Sequence, residues 1–506
     1  MRLLKMLGSV PLLSVIAGCV VGPTYQAPSP TTSSQAVLPQ FQSALPIQAG
    51  AGGAATDLTR WWSQFDDPLV AELVAAAEAS NPSVAQALAR ITQARATAVS
   101  TGSALYPSVA ADASSTRSKS LTGLSGALGN VAAVSTSSSA TFDASWELDL
   151  FGGKRKAADA ANARVFARNA DWYGARVSLA AEVGSTLVNY RACVATTAML
   201  AQDLTSREQT SQLTGLKVKA GFTAPADGAL INASTADARQ KLTLQRADCD
   251  LDIKALVALT DIPEPALRSK LALNQRLPQP RGFVVESVPA QALSQRPDIA
   301  VAERELAAAS AEINVAEADR YPSISLLGSI GIAGFRFDGG SSRSDTWSFG
   351  PSLKLPIFDA GRRKAQVNLA RGRYDEAYAG YQQQVRTAAR EIEEALVRLD
   401  AAARREDDAA LAAREYESYY RANDDKFKAG SGSLFELEDA RRTFLAAQQT
   451  VISVQHDHVT AWIALYKALG GGWRNDGGQA AQQAAVQSNP ATPAKPLPSA
   501  PNSDRS

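Results

Sequence analysis

Histidine and cysteine are nearly absent: two and three residues in a chain of 506. That leaves little material for a metal centre held by protein ligands. His456 and His458 stand two apart in a helical stretch and so point to different sides. No nucleophile is spaced with a histidine for covalent catalysis, and Phe151-Gly-Gly-Lys-Arg155 lacks the spacing of a phosphate-cradling loop, so no enzyme is expected. Surplus charge is missing too. With 51 basic against 50 acidic residues, the chain carries no electrostatic footprint for nucleic acid. No run of about 20 apolar residues follows the N-terminus, which argues against a transmembrane helix. Proline is absent from Phe358 to Trp473, so nothing there forbids one long helical stretch.

What is present begins with an export signal. Arg2 and Lys5 precede an apolar segment, Met6 to Ile16, too short to span a bilayer. Ile16-Ala-Gly-Cys19 then reads as a cleavage site ending on a cysteine. Residues 1–18 are therefore expected to be removed and Cys19 to be acylated, a covalent lipid being the only added group foreseen. Residues 19–57 are rich in Pro, Ser, Gln, Gly and Ala and read as an extended or flexible tether. Residues 474–506, of similar composition, read as a disordered tail.

The proline-free run carries a heptad seam. Tyr378, Val385, Ile392 and Leu399 recur every seven residues, with Tyr381, Ala388, Ala395 and Ala402 offset by three. The run breaks at Lys428-Ala-Gly430, where glycine ends one helix and Ser433-Leu-Phe-Glu436 is a capping box that opens the next. The reading is a helical hairpin with arms of roughly 60 residues each, about 90 Å at ~1.5 Å per residue.

The remainder is a duplication. Pro82 and Pro107 are 25 residues apart, as are Pro297 and Pro322. Asn81-Pro82 matches Arg296-Pro297, Tyr106-Pro107 matches Tyr321-Pro322, and Lys219-Ala-Gly221 matches Lys428-Ala-Gly430. Each half, 58–265 and 266–473, reads as helix, two strands, long helix, tip and return helix. Strands are expected at 108–116, 141–150, 323–335 and 346–357, with 121–138 as an exposed loop. The clearest alternates Phe142, Ala144, Trp146, Leu148 with Thr141, Asp143, Ser145, Glu147.

Four such strands cannot close a barrel, since membrane barrels need about eight or more. An exported chain of this kind is expected to close its edges with further copies of itself. Two copies would give eight strands and an interior filled by side chains, and three would give twelve strands with room for a lumen. A sealed β end on a non-conducting coiled-coil spacer or adaptor lipoprotein is the rival.

Cys19-Val-Val-Gly-Pro-Thr-Tyr-Gln-Ala-Pro28, Trp61-Trp-Ser-Gln-Phe-Asp-Asp-Pro68, the doubled Tyr-Pro stops and the two Lys-Ala-Gly tips resemble the TolC/OprM outer membrane factors, in particular their NodT-type lipoprotein branch. The resemblance runs from about Cys19 to Trp473. It implies a mainly α fold with a transmembrane β-barrel portion: long helical hairpins forming an α-barrel, and a twelve-stranded barrel in a homotrimer. It further implies a passive exit duct in the bacterial outer membrane. Such a duct docks through tips at Gly221 and Gly430 to a periplasmic adaptor and an inner-membrane pump of the RND type. By motif position, gate carboxylates fall at Asp227, Glu436 and Asp439. Glu436 and the first-turn acids also have a simpler explanation in capping and the helix dipole. Where the family often has a basic residue inside the second tip, this chain has Gly432, which puts a latch through that cation in doubt. Cys193 and Cys249 lie 28 residues on either side of Gly221, level across the first hairpin. In an oxidising compartment they are expected to form a disulfide, the alternative being two buried thiols.

Overall fold

The computed structural model describes residues 21–29, 40–43, 61–62, 65, 67–122, 131–279, 289–337 and 340–472. Cys19 and the tail from 474 lie outside the described residues. In order the elements are α1 (Pro68–Ser80), α2 (Pro82–Ser103), β1 (Ser108–Thr122), β2 (Val131–Leu148), α3 (Gly153–Lys219), α4 (Pro225–Thr260) and α5 (Glu264–Leu273). There follow α6 (Pro289–Ser294), α7 (Pro297–Ala318), β3 (Ser323–Phe337), β4 (Gly340–Lys354), α8 (Arg362–Lys428) and α9 (Leu434–Ala468). The chain divides into two compact units, and each draws segments from both halves of the sequence.

The first unit comprises Met1–Pro28, Ile91–Arg168 and Ala302–Tyr381. Its centre is one antiparallel sheet in the order β1-β2-β3-β4. Paired residues share a face, so the register sorts the side chains. Rows such as Ala111–Phe142–Ile330–Trp347 and Val109–Ala144–Gly328–Phe349 make one face apolar. Rows such as Ala110–Asp143–Ser329–Ser348 and Asp112–Thr141–Gly331–Thr346 make the other largely polar. Phe142, Ile330, Trp347 and Phe349 are all well exposed in the single chain.

The strands are longer than their sequence patterns. Residues 131–138, expected in a loop, belong to β2. Small serines and alanines give much of that stretch little β-propensity, but pairing with β1 along its whole length, and with β3 from Ser135 onward, holds it in the sheet. Ser114 faces Ser139 and Ser115 faces Ser138, each pair of hydroxyls 2.9 Å apart. At the other end β4 stops at Lys354, because Pro356 has no N–H to give to a ladder.

The strand-to-helix junctions repeat at side-chain level. Gly152 and Gly361 turn the chain with φ of 79° and 86°. Asp149 then accepts the amides of Lys154 and Arg155, each at 3.0 Å, and Asp359 accepts those of Gly361 and Arg363 at 3.1 and 3.3 Å. Each carboxylate caps a helix N-terminus. Beyond the first junction α3 meets α7 through Ala160, Ala308 and Ala311, whose small side chains let the helices approach closely. The described piece of the tether, 21–29, is extended and fastened to this unit. Tyr25 donates to the Glu303 carboxylate at 2.6 Å, and Asn314 donates to the Pro23 carbonyl at 3.1 Å.

The second unit comprises Ser29–Arg90, Asn169–Val301 and Gln382–Ser506. Its core explains the tryptophan pair in the sequence. Trp61 packs 5.8 Å from Trp462 and 5.4 Å from Tyr466, and Trp62 stands 5.0 Å from Tyr466. Gly184 must be glycine here, since a Cβ would lie 2.7 Å from the Trp62 ring. Asp67, fully buried, caps α1 by accepting the Leu69 amide at 3.1 Å and pairs with buried Arg191 at 3.0 Å.

The heptad seam on α8 is buried at every predicted position except Tyr378, which is partly buried. The arms are unequal, however. α3 and α8 have 67 residues each, whereas the return helices α4 and α9 have 36 and 35; for α9 that is well short of the roughly 60 expected of the second hairpin. α4 stops where Asp261 adopts a left-handed conformation before Pro263, and α9 stops at Gly470, Gly471 and Gly472, all with positive φ.

Candidate channel mouth

Two helix tips carry the residues singled out for an entrance, and both lie in the second unit. At the first, α3 ends on Gly221 with φ 78°, and the Phe222 amide reaches back to the Lys217 carbonyl at 2.8 Å. Pro225 opens α4, and its N-cap, Ala224, offers no side-chain bond. At the second, Gly430 has φ 79° and the Ser431 amide donates to the Lys426 carbonyl at 3.0 Å. The capping box is formed in full. The Ser433 hydroxyl accepts the Glu436 amide at 3.2 Å, and the Glu436 carboxylate accepts the Ser433 amide at 3.1 Å. That bond to the Ser433 amide holds the Glu436 pKa below the ordinary carboxylate value.

The tips are joined by an apolar plug. Ile231 of α4 packs with Phe427 of α8 and with Leu434 and Leu437 of α9, supported by Leu213 and Tyr420. Lys217 lies 4.4 Å over the Phe427 ring. Phe222 and Phe435, by contrast, are 84% and 74% exposed.

Of the three candidate gate carboxylates, Glu436 is exposed and engaged in the cap, Asp439 pairs with Arg442, and Asp227 is half-buried in the first turn of α4. Among the described residues no group of three or more acidic, histidine or cysteine side chains could hold a metal ion. His456 meets Asn189 at 2.7 Å, while His458 meets Glu406 at 3.2 Å and accepts from the Trp462 indole at 3.1 Å. Cys193 and Cys249 form a disulfide between α3 and α4, their Cα atoms 5.6 Å apart.

A buried charge network behind the plug escaped the sequence reading. Arg207 pairs with Asp203 at 2.9 Å and with Glu438, and Arg441 also pairs with Glu438. Arg441 further donates to the hydroxyls of Ser206 at 3.1 Å and Thr210 at 3.0 Å. Its side chain is 2% exposed. Burial alone would lower the pKa of Arg207, but the hydrogen bonds and charges of Asp203 and Glu438 raise it instead. The network ties α3 of the first hairpin to α9 of the second. The i, i+4 pair Asp203–Arg207 was legible in the sequence; its partner on a helix more than two hundred residues away was not.

A model of the outer membrane efflux protein family matches residues 73–260 and again residues 288–471. The chain belongs to that family. The antibiotic efflux pump outer membrane protein ArpC of Pseudomonas putida is 30% identical, covering 94% of this chain and 96% of its own length. Nodulation protein T of Rhizobium leguminosarum bv. viciae is 29% identical over 92% of each. The solved outer-membrane channel OprN superposes with a TM-score of 0.76 at 28% identity, over 90% of this chain and all of OprN. This outer membrane efflux protein is thus a channel subunit built from α-helical hairpins and a transmembrane sheet. No described helix is long and apolar enough to cross a membrane.

Proposed function

We propose that three copies of the chain close their four-stranded sheets into one twelve-stranded barrel and act as a passive exit duct for efflux. The observation that carries this is the sheet itself: one apolar face, one polar face, and β1 and β4 as edge strands with no second partner among the described residues. An unpaired edge in lipid is costly, so closure by copies is the stable solution. The apolar face then meets lipid and the polar face lines a water-filled lumen.

In this reading Cys19 carries the lipid anchor. The tips around Gly221 and Gly430 dock a periplasmic adaptor, with exposed Phe222 and Phe435 as apolar contacts, and an inner-membrane pump of the RND type drives transport. Asp227 and Asp439, repeated three times about an axis, narrow the entrance and favour cations there. Glu436 serves chiefly as a cap. The test is the native mass of the detergent-extracted protein together with its conductance in planar bilayers. A trimer that conducts supports the duct. A non-conducting monomer overturns it.

A further inference from the structure

The sheet register places four cations on one face and at one end. Arg117 pairs with Thr136, which pairs with Arg336, so the two arginines stand in one row. Lys119 is two residues beyond Arg117, and Arg343 stands in the adjacent row, opposite Gly334. Alternation puts all four on the face that carries Phe142, Ile330 and Trp347. This is the apolar face, not the polar one. All four side chains are exposed, and none forms a salt bridge among the described residues. The one carboxylate on this face, Asp345, lies in the row of Ile332, next to that of Arg343.

The opposite face has the reverse charge. It carries Asp112, Asp143 and Glu147 against Lys354. Charge on this sheet is therefore sorted by face as well as by height.

The height is informative. From Ile324 to Ile332 the lipid-side rows are predominantly apolar, eight residue steps or about 27 Å at ~3.4 Å each. Those nine residues fall within the roughly 9–11 that a tilted membrane-spanning strand needs. The cations stand two to six steps further on, about 7–20 Å along the strands, toward the turns that join β1 to β2 and β3 to β4. The other ends of the strands lead into the helices, so the cationic end is the one away from the periplasm. Long basic side chains at that level can lay their stems along the apolar surface and put their charges among headgroups.

We propose that Arg117, Lys119, Arg336 and Arg343 form a girdle that binds the phosphate groups of a phosphorylated glycolipid in the outer leaflet. Charge complementarity selects the occupant, since arginine binds phosphate oxygens in bidentate fashion and an unpaired cation at a lipid surface needs an anion. The girdle is continuous with the lipid-facing surface, and in a trimer it repeats three times around the rim. It rests on the barrel reading above.

The test uses the full-length purified trimer in phosphatidylcholine nanodiscs. Three probes are compared: bis-phosphorylated lipid A, the same glycolipid without phosphates, and inorganic phosphate. Trimer mass and conductance are recorded on the same preparation. Native mass spectrometry should show the bis-phosphorylated glycolipid retained at least about tenfold more than its phosphate-free form, with retention falling as salt is raised. Substituting R117Q, K119Q, R336Q and R343Q together should abolish the preference, at about fivefold per cation, while mass and conductance persist. D112N with D143N, on the lumen face, should leave the preference intact. Equal retention of both glycolipids by a conducting trimer overturns the girdle and leaves the duct standing. So does saturation by millimolar inorganic phosphate without lipid selectivity, or loss of the preference in the lumen-face variant. Should the quadruple variant fail to assemble, the phosphate-dependence of the unmodified trimer decides alone.

Discussion

The two helical hairpins share a topology but are fastened differently. The first is tied to itself by the Cys193–Cys249 disulfide, and its return helix starts without a side-chain cap. The second has no covalent tie among the described residues. It starts on a complete capping box and is held to the first through Arg441, Glu438, Arg207 and Asp203. Duplication has thus preserved the path of the chain while the fasteners diverged. The first hairpin carries its own staple. The second shares buried charges with its neighbour and is expected to loosen when those charges are disturbed.

The largest effect is expected for Arg441→Ala, which would leave Asp203 and Glu438 buried without one of their cations. Leaving a buried charge without its partner costs roughly 3–5 kcal/mol, which is the upper bound here because Arg207 stays paired with both carboxylates. Denaturant-induced unfolding should show it, and bilayer recordings should show a larger conductance. An Arg441→Ala protein with unchanged stability would mean that the second hairpin does not lean on the network. Cys193→Ser with Cys249→Ser should cost about 2–4 kcal/mol, with faster hydrogen exchange confined to the first hairpin. Spread of that effect into α9 would mean that the disulfide steadies both hairpins. Ser433→Ala should cost about 1 kcal/mol and fray only the start of α9, read from exchange of the Glu436 amide. Ala224→Ser is the mirror experiment, adding a cap where the first hairpin has none.

Acid should separate the two tips in the same sense. The folded-state pKa of Glu436 is depressed, so its capping contribution is present above the unfolded carboxylate value and is lost as pH falls through the lower folded value. Exchange at the Ser433 amide should therefore quicken, beyond the intrinsic pH trend, at acid pH, while the first tip, capped by no side chain, should not follow. Asp227→Ala with Asp439→Ala is expected to have the smallest effect on stability while raising single-channel conductance. Unchanged conductance would remove these two from the gate.

Much of this was legible because it was local or repeated. Periodic prolines, Lys-Ala-Gly tips, the capping box and the α8 seam depend on residues close in sequence, and each appears in the structure where its pattern places it. The full length of β2 was hidden, because its serines and alanines take up strand structure only when neighbouring strands supply the hydrogen bonds, β1 along the whole stretch and β3 from Ser135 onward. The short return arm of the second hairpin was hidden for a related reason. A heptad seam shows that a helix has company, but not which helices supply it, and Asp298 of α7 takes a hydrogen bond from Gln384 of α8 at 2.6 Å. The network behind the tips was out of reach because Arg207 and Glu438 are 231 residues apart in the chain.

The central claim is that the two faces of this sheet meet different media, lipid on one side and the water of a conducting lumen on the other. Neighbouring residues on β4 test it directly, through single cysteines placed at Ser348 and at Phe349 and treated with a charged, membrane-impermeant thiol reagent during bilayer recording. Current should fall on modification of Ser348→Cys and stay unchanged for Phe349→Cys. Block at Phe349→Cys with none at Ser348→Cys, or no current in either protein, would contradict the account.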